Sequence, residues 1–186
     1  LPILRGLGVI REQSERLMEF TESYRRLSYM PEPKKKRFSL TDSLHNLGLL
    51  LQSDFENAHI HFILRSTPSD IYIEGDEKQL SQVFLNLLKN SMQSLEGKTD
   101  GQIEVTLEVT DKLYIKLLDN GQGIPMELQE KIFVPFFTTK TEGTGIGLSL
   151  CRQIIKRHGG NLYLQESGQG RTLFVIEWPI VPFIPK

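Results

Sequence analysis

The chain has one cysteine among 186 residues, no excess of charge of either sign, and no long apolar run. A single thiol cannot close an internal disulfide, so packing alone must hold the fold, which suits a reducing compartment. Cys151 itself reads as a buried packing residue on a helix. With 22 Lys and Arg against 23 Asp and Glu, the net charge is −1. That balance predicts neither a nucleic-acid footprint nor a membrane-binding face. Nothing approaches the ~20 continuous apolar residues that cross a bilayer. The start, Leu1-Pro2-Ile3-Leu4-Arg5, has no Met and no signal-peptide pattern. It reads as a cut within a longer protein; the chain itself is expected in the cytoplasm, and its parent remains open to a membrane anchor.

What is present is an ordinary globular composition, 39% apolar and 24% charged, enough for one domain and an appendage. Residues 3–28 predict a long amphipathic helix. Ile3, Ile10, Leu17 and Tyr24 recur every seven residues, with Gly6, Gln13, Phe20 and Leu27 three places after each. Such a seam belongs to a coiled coil or helical bundle. Pro31-Glu32-Pro33 stops it, and Lys34-Lys35-Lys36-Arg37 follows as a solvated linker. We therefore divide the chain into a helical segment 1–30, a linker 31–37, a domain 38–182 and a tail 183–186.

Within the domain, Phe38–Leu40 predicts a short strand before a helix capped at Thr41 or Asp42, with Leu44, Leu47, Leu51 and Phe55 on one face. Strands follow over 59–65 and 71–73, then a helix from Asp76 to about Leu95. Strands at 102–110 and 113–118, a helix at 148–158 and a hairpin of 161–166 with 172–178 complete the pattern. Without a βαβ rhythm, the expected class is α+β, a mixed, mostly antiparallel sheet with helices on one face. His158 before Gly159-Gly160 predicts a helix end, with a cation on the C-terminal dipole. His45 is a core or surface histidine, and His59 and His61 alternate on a strand without metal-ligand spacing.

Four segments carry chemistry. Asn86 and Asn90 stand four apart on one helix face, where amide oxygens can take Mg²⁺ beside phosphates; two solvent-facing asparagines fit as well. Leu118-Asp119-Asn120-Gly121-Gln122-Gly123 puts a carboxylate at a strand end before a turn where a ligand can approach backbone, though ordinary turn chemistry explains Asp-Asn-Gly equally. Ile132-Phe133-Val134-Pro135-Phe136-Phe137-Thr138-Thr139-Lys140 offers a packed aromatic hinge. Gly143-Thr144-Gly145-Ile146-Gly147-Leu148 runs into a helix, and its amides suit phosphate oxygens. No Gly-Lys-Ser/Thr follows it, so it is not a P-loop.

In this order the segments resemble the N, G1, F and G2 boxes of histidine kinases, within the wider superfamily that shares the Bergerat nucleotide-binding fold. Gly168-Gln169-Gly170-Arg171-Thr172-Leu173-Phe174 is similar to the closing Gly-x-Gly-x-Thr-x-Phe element, with one extra residue. The resemblance covers about 38–179 and implies a two-layer α/β sandwich that binds Mg-ATP. It implies Asn90, assisted by Asn86, on Mg²⁺, Asp119 on the adenine amine, and Gly121 and Gly123 for close approach. It further implies Thr144, Gly145, Gly147 and Leu148 on the phosphates, Thr172 at adenine and Lys140 at the γ-phosphate.

The N-terminal run Glu19–Leu27 with Met30-Pro31-Glu32-Pro33 resembles nitrogen-regulator-type kinases. That resemblance implies the second helix of a dimerising phosphotransfer hairpin, whose acceptor histidine lies on a helix absent here. It also implies a homodimer and a response regulator as partner. Two alternatives stand beside this reading. ATP hydrolases of the superfamily place a glutamate where Asn86 stands, to take a proton from water. An ATP-binding pseudokinase or serine-kinase module would use the same fold.

Overall fold

The computed structural model describes residues 27–179 apart from 141, 142 and 169, together with positions 7, 8, 11, 14, 18, 21, 24 and 25. Of the heptad seam, Ile3, Gly6, Ile10, Gln13, Leu17 and Phe20 lie outside these residues, as does the tail 183–186. Tyr24 and Leu27 are in helical backbone, and Tyr24 is exposed.

The chain proper begins with strand β1 (Lys36–Ser39), helices α1 (Leu40–Leu50) and α2 (Gln52–Asn57), and strands β2 (Ile60–Thr67) and β3 (Tyr72–Gly75). Helix α3 (Glu77–Ser94), strands β4 (Gly101–Val109) and β5 (Leu113–Asp119) and the short α4 (Met126–Gln129) follow. Helix α5 (Gly147–Arg157) and the hairpin β6 (Asn161–Gly168) and β7 (Arg171–Trp178) close the domain. The main sheet has the order β2-β4-β5-β7-β6, antiparallel except for the β2–β4 pair, and β1–β3 form a separate antiparallel ribbon.

Alternation builds the layers. In β4 and β5, Ile103, Val105, Leu107, Leu113, Ile115 and Leu117 are buried, while the intervening positions face out. The outer face carries Glu104, Glu108, Lys116 and Glu177, tied in pairs such as Lys112–Glu177 at 3.0 Å and Arg65–Glu104 at 2.7 Å. Helices cover only the inner face, as expected for α+β. Leu80, Val83, Phe84, Leu87 and Leu88 of α3 meet Leu150, Cys151, Ile154 and Ile155 of α5 in one core. Burial pushes the Cys151 thiol up to about 12, so this cysteine is inert packing.

The local details depart from expectation in instructive places. The expected first helix is two, broken at Leu51, yet Leu44, Leu47, Leu51 and Phe55 are all buried as its face predicts. The cap of α1 is neither Thr41 nor Asp42 but Ser39, whose Oγ accepts from the Asp42 amide at 3.1 Å. The Thr41 hydroxyl is taken by the Ile71 amide, 3.2 Å away. His59 is not in a strand: it ends α2 with φ 54, in the left-handed region. Asp76 does cap α3, its Oδ1 accepting from Lys78 and Gln79 amides. Its Oδ2 accepts from the Lys34 amide at 2.9 Å. Gln79 and Arg157 side chains also reach the Pro31 and Met30 carbonyls, so the segment before β1 is strapped to the ends of α3 and α5.

His158 corrects the sequence reading most. It is 4% exposed, and its Nε2 accepts from the Asp76 amide at 3.0 Å. Its Nδ1 therefore carries the proton and donates to the Ile154 carbonyl at 2.8 Å. The ring is neutral, packed on Trp178, rather than a cation on the helix dipole. Burial holds it below the ordinary histidine value, assisted by Lys35 and opposed by the Ile154 carbonyl and Asp76. A histidine depressed in the fold binds its proton more readily in the unfolded chain, so stability rises with pH through this range. It should be complete above about pH 6.5 and fall away below it. Urea midpoints at pH 7.5 and 5.5 check this. His158→Gln should be less stable than the parent at pH 7.5 yet lose less on acidification.

Candidate nucleotide-binding site

Asp119 closes β5, 2% exposed, where an unpaired carboxylate would be costly. Helix α3 lies alongside and supplies two donors: Ser91 Oγ at 2.8 Å from Oδ2 and Ser94 Oγ at 3.0 Å from Oδ1. The Gly121 amide donates to Oδ1 at 3.0 Å, and Thr172, opposite Asp119 in the β5–β7 register, adds its hydroxyl. Burial raises the Asp119 carboxyl above its usual range, while these hydrogen bonds pull it down. The result is a fixed carboxylate whose geometry is set before any ligand arrives. Ser91 and Ser94 were missed in the sequence. The available signal was their helical spacing from Asn90, one and four positions on.

Gly121 and Gly123 prove necessary for the protein's own contacts. A Cβ at Gly121 would stand 2.1 Å from Ser94 Oγ, and one at Gly123 1.8 Å from the Gly168 carbonyl oxygen. The turn after β5 is thus pressed on α3 at one glycine and on the β6–β7 hairpin at the other. Ile124 and Gln129 add hydrogen bonds to Ser167.

Asn90, one turn before Ser94, and Asn86, a turn earlier again, share the same side of α3, as their spacing predicts. Asn86 faces the start of α5. Its amide lies 3.9 Å from the place of a Gly147 Cβ, and it hydrogen-bonds Cys151. Asn90 Oδ1 accepts from Lys140 Nζ at 3.0 Å, and Gln93 Oε1 accepts from the same ammonium. The loop 143–146 enters α5 with Gly145 at φ 68, close against the Phe136 carbonyl. Phe136 is itself left-handed at φ 65, a strained conformation for a bulky residue. No side chain caps α5, so the amides of Gly147, Leu148 and Ser149 lack intrahelical partners at a positive helix end. Thr144 is exposed beside them.

Most of the residues singled out in the sequence therefore gather along one side of α3: Asp119, Gly121 and Thr172 at its C-terminal end, Asn90 and Lys140 next, Asn86 and the Gly145–Leu148 segment beyond, with Thr144 exposed just before it. Gly123 stands one step away, in the turn after β5 and against the hairpin.

A family model described as histidine kinase-, DNA gyrase B- and HSP90-like ATPase matches residues 75–182. This chain belongs to that family. Residues 75–182 thus form an ATP-binding catalytic domain of the histidine-kinase type, an assignment supported by individual relatives. The sensory histidine kinase/phosphatase NtrB of Rhodobacter capsulatus is 30% identical over 186 residues, covering 94% of this chain and 52% of that protein. The signal transduction histidine-protein kinase AtoS of Escherichia coli is 32% identical over 181 residues, covering 97% of this chain and 28% of that protein. The chain thus spans about half or less of the relatives it matches. The catalytic domain of histidine kinase ThkA superposes with a TM-score of 0.71 at 34% identity, covering 78% of this chain and 95% of that one. A structure of ThkA in complex with the response regulator TrrA matches with a TM-score of 0.75 at 28% identity, over 96% of this chain and 51% of that one. Among the described residues of this catalytic domain and its approach, no helix is long and apolar enough to cross a membrane.

Proposed function

We propose that this chain is the catalytic core of a two-component sensor histidine kinase. It would transfer the γ-phosphate of Mg-ATP to a histidine on a helix outside the chain, for relay to a response regulator. One observation carries the reading: a buried carboxylate, a helix face with two amides and an uncapped helix start converge along α3. Each suits one part of the nucleotide. Asp119, with Thr172, receives the adenine amine, and Asn90 with Asn86 offers neutral oxygens to Mg²⁺. The amides of Thr144, Gly145, Gly147 and Leu148 receive phosphate oxygens, and Lys140 supplies positive charge at the γ-phosphate. In the transfer, a neutral histidine nitrogen would attack the γ-phosphorus as the bond to the β–γ bridging oxygen breaks, ADP would leave, and the other ring nitrogen would give up its proton. The protein's work is positioning and charge stabilisation.

The amide at Asn86 favours phosphotransfer over hydrolysis, because it cannot accept a proton from water as a carboxylate does. In this reading residues 1–30 belong to a dimerising helical hairpin, 31–37 join it to the domain 38–182, and 183–186 trail it. The parent works as a homodimer on the cytoplasmic side. The decisive test supplies the missing hairpin in trans with terminally labelled ATP. Label moving to a hairpin histidine supports the kinase; label released as inorganic phosphate, with none on the hairpin, overturns it in favour of an ATPase.

Asn90→Ala tests the metal assignment separately. Nucleotide titrations with and without Mg²⁺ should show the parent gaining affinity from the metal and the variant losing that gain, while metal-free binding persists through Asp119. Equal gains in both would remove Asn90 from the metal.

A further inference from the structure

The ammonium of Lys140 sits on the residue assigned to the metal. Its Nζ is 3.0 Å from Asn90 Oδ1 and also donates to Gln93 Oε1. Asn90 and Gln93 are three apart near the C-terminal end of α3, so their amide oxygens converge on one point. The helix carbonyl end and Glu96 both favour a cation there. The loop carrying Lys140 is shaped to deliver it. Thr138 Oγ1 accepts from the Lys140 amide at 3.0 Å, and the Gly143 amide donates to the Lys140 carbonyl at 3.3 Å. A Cβ at Gly143 would lie 2.5 Å from Thr138 Oγ1, so Gly143 packs closely on the same hydroxyl that holds the Lys140 amide. Desolvation holds the Lys140 ammonium below the ordinary lysine value, with Glu96 opposing.

We propose that Asn90 and Gln93 park the Lys140 ammonium in the metal seat until Mg²⁺ arrives with the nucleotide, which makes Gln93 a positioning residue acting through Lys140. The inference rests on the reading of Asn90 as a Mg²⁺ ligand. An ammonium and a divalent ion cannot share one amide oxygen at 3 Å without strong repulsion, so the two exclude each other. Metal-free nucleotide leaves Lys140 where it is. Metal-loaded nucleotide evicts it and frees the charge for phosphate oxygens. The site thereby favours nucleotide that carries its metal, and arming Lys140 is tied to metal entry. An exposed contact of this kind adds little to stability; its importance is where it keeps the charge. Gln93 touches neither nucleotide nor metal in this scheme, and no sequence motif marks it.

The test compares the parent chain, Gln93→Leu and Lys140→Met, with ADP as the probe because it has no γ-phosphate for Lys140 to reach. The measured quantity is the Mg²⁺ concentration giving half-maximal ADP binding. Since a competing parked state lowers apparent affinity by its population, both variants should need about threefold less Mg²⁺ than the parent. With a non-hydrolysable ATP analogue they should part: Gln93→Leu keeps or improves affinity, and Lys140→Met loses it. Unchanged Mg²⁺ midpoints in both variants, in a parent that binds Mg-ADP, overturn the parking while leaving the nucleotide reading intact. A lowered midpoint in Lys140→Met alone removes Gln93 from the device. A parent that gains nothing from Mg²⁺ removes the metal reading and this inference together.

Discussion

Asp119→Ala should lower nucleotide affinity by about 1.5–3 kcal/mol, the loss of a hydrogen bond to a charged acceptor, without unfolding the chain. The carboxylate is almost fully buried and held by Ser91, Ser94, Thr172 and the Gly121 amide. Alanine removes the burial cost of a charge along with its partners, and the serine hydroxyls left behind can admit water. Asp119→Asn is the sharper variant. It keeps the shape, but the ring of donors then meets an amide, and the serines must rotate to accept from its NH₂ end. Calorimetry on both variants, with thermal melts as the folding control, measures the effect. Unchanged affinity in melted-normal protein would remove Asp119 from the site.

Gly123→Ala should produce the largest loss of stability among single substitutions in the turn after β5. The backbone there has φ 78, and the added methyl would lie 1.8 Å from the Gly168 carbonyl oxygen. The methyl is fixed rigidly on the turn's backbone and the oxygen is main chain, so relief requires parting the turn from the β6–β7 hairpin and losing the Ile124–Ser167 hydrogen bond of 2.8 Å. Gly97 provides the control. It has the same φ of 78 but nothing within 4 Å of the added methyl. Gly97→Ala should cost only the left-handed penalty of about 1–2 kcal/mol, and Gly123→Ala about 2–4 kcal/mol or more. Urea midpoints of the two variants give the difference directly. Equal midpoints would mean that the turn and the hairpin are not pressed together.

How much of this was legible follows the range over which each feature is decided. The α3 start is local: Asp76 caps it, and the sequence shows as much. So is the apolar face of α3 and the alternation of β4 and β5. The class α+β followed from them. The parallel β2–β4 pair was not legible, because its partners, Ile60 with Gly101 onward, are brought together by α3 crossing between them. Capping of α1 by Ser39 rather than Thr41 turns on a contact from Ile71, 30 residues away. The helix end at His158 is local and points to a cation, whereas the amide that fixes the ring as neutral belongs to Asp76, 82 positions earlier. In the site, the chemical types of Asn90, Asp119 and the glycine loop were readable from family motifs. The hydroxyls of Ser91 and Ser94 and the reach of Lys140 to Gln93 were not, since each depends on which helix face meets which loop.

The order of the main sheet has a consequence for how the protein is made. Among the described residues strand β7 comes last in sequence, yet it lies inside the sheet, between β5 and β6. Until the ribosome has released residues through Trp178, β5 is an unpaired edge and β6 has no partner at all. A growing chain therefore carries the carboxylate of Asp119 long before Thr172 can stand opposite it. On the proposed reading, a nascent chain would offer nucleotide Asp119 with Ser91, Ser94 and the Gly121 amide, but not yet Thr172. That exposed edge is the chain's period of greatest danger of pairing with a neighbour on the same message.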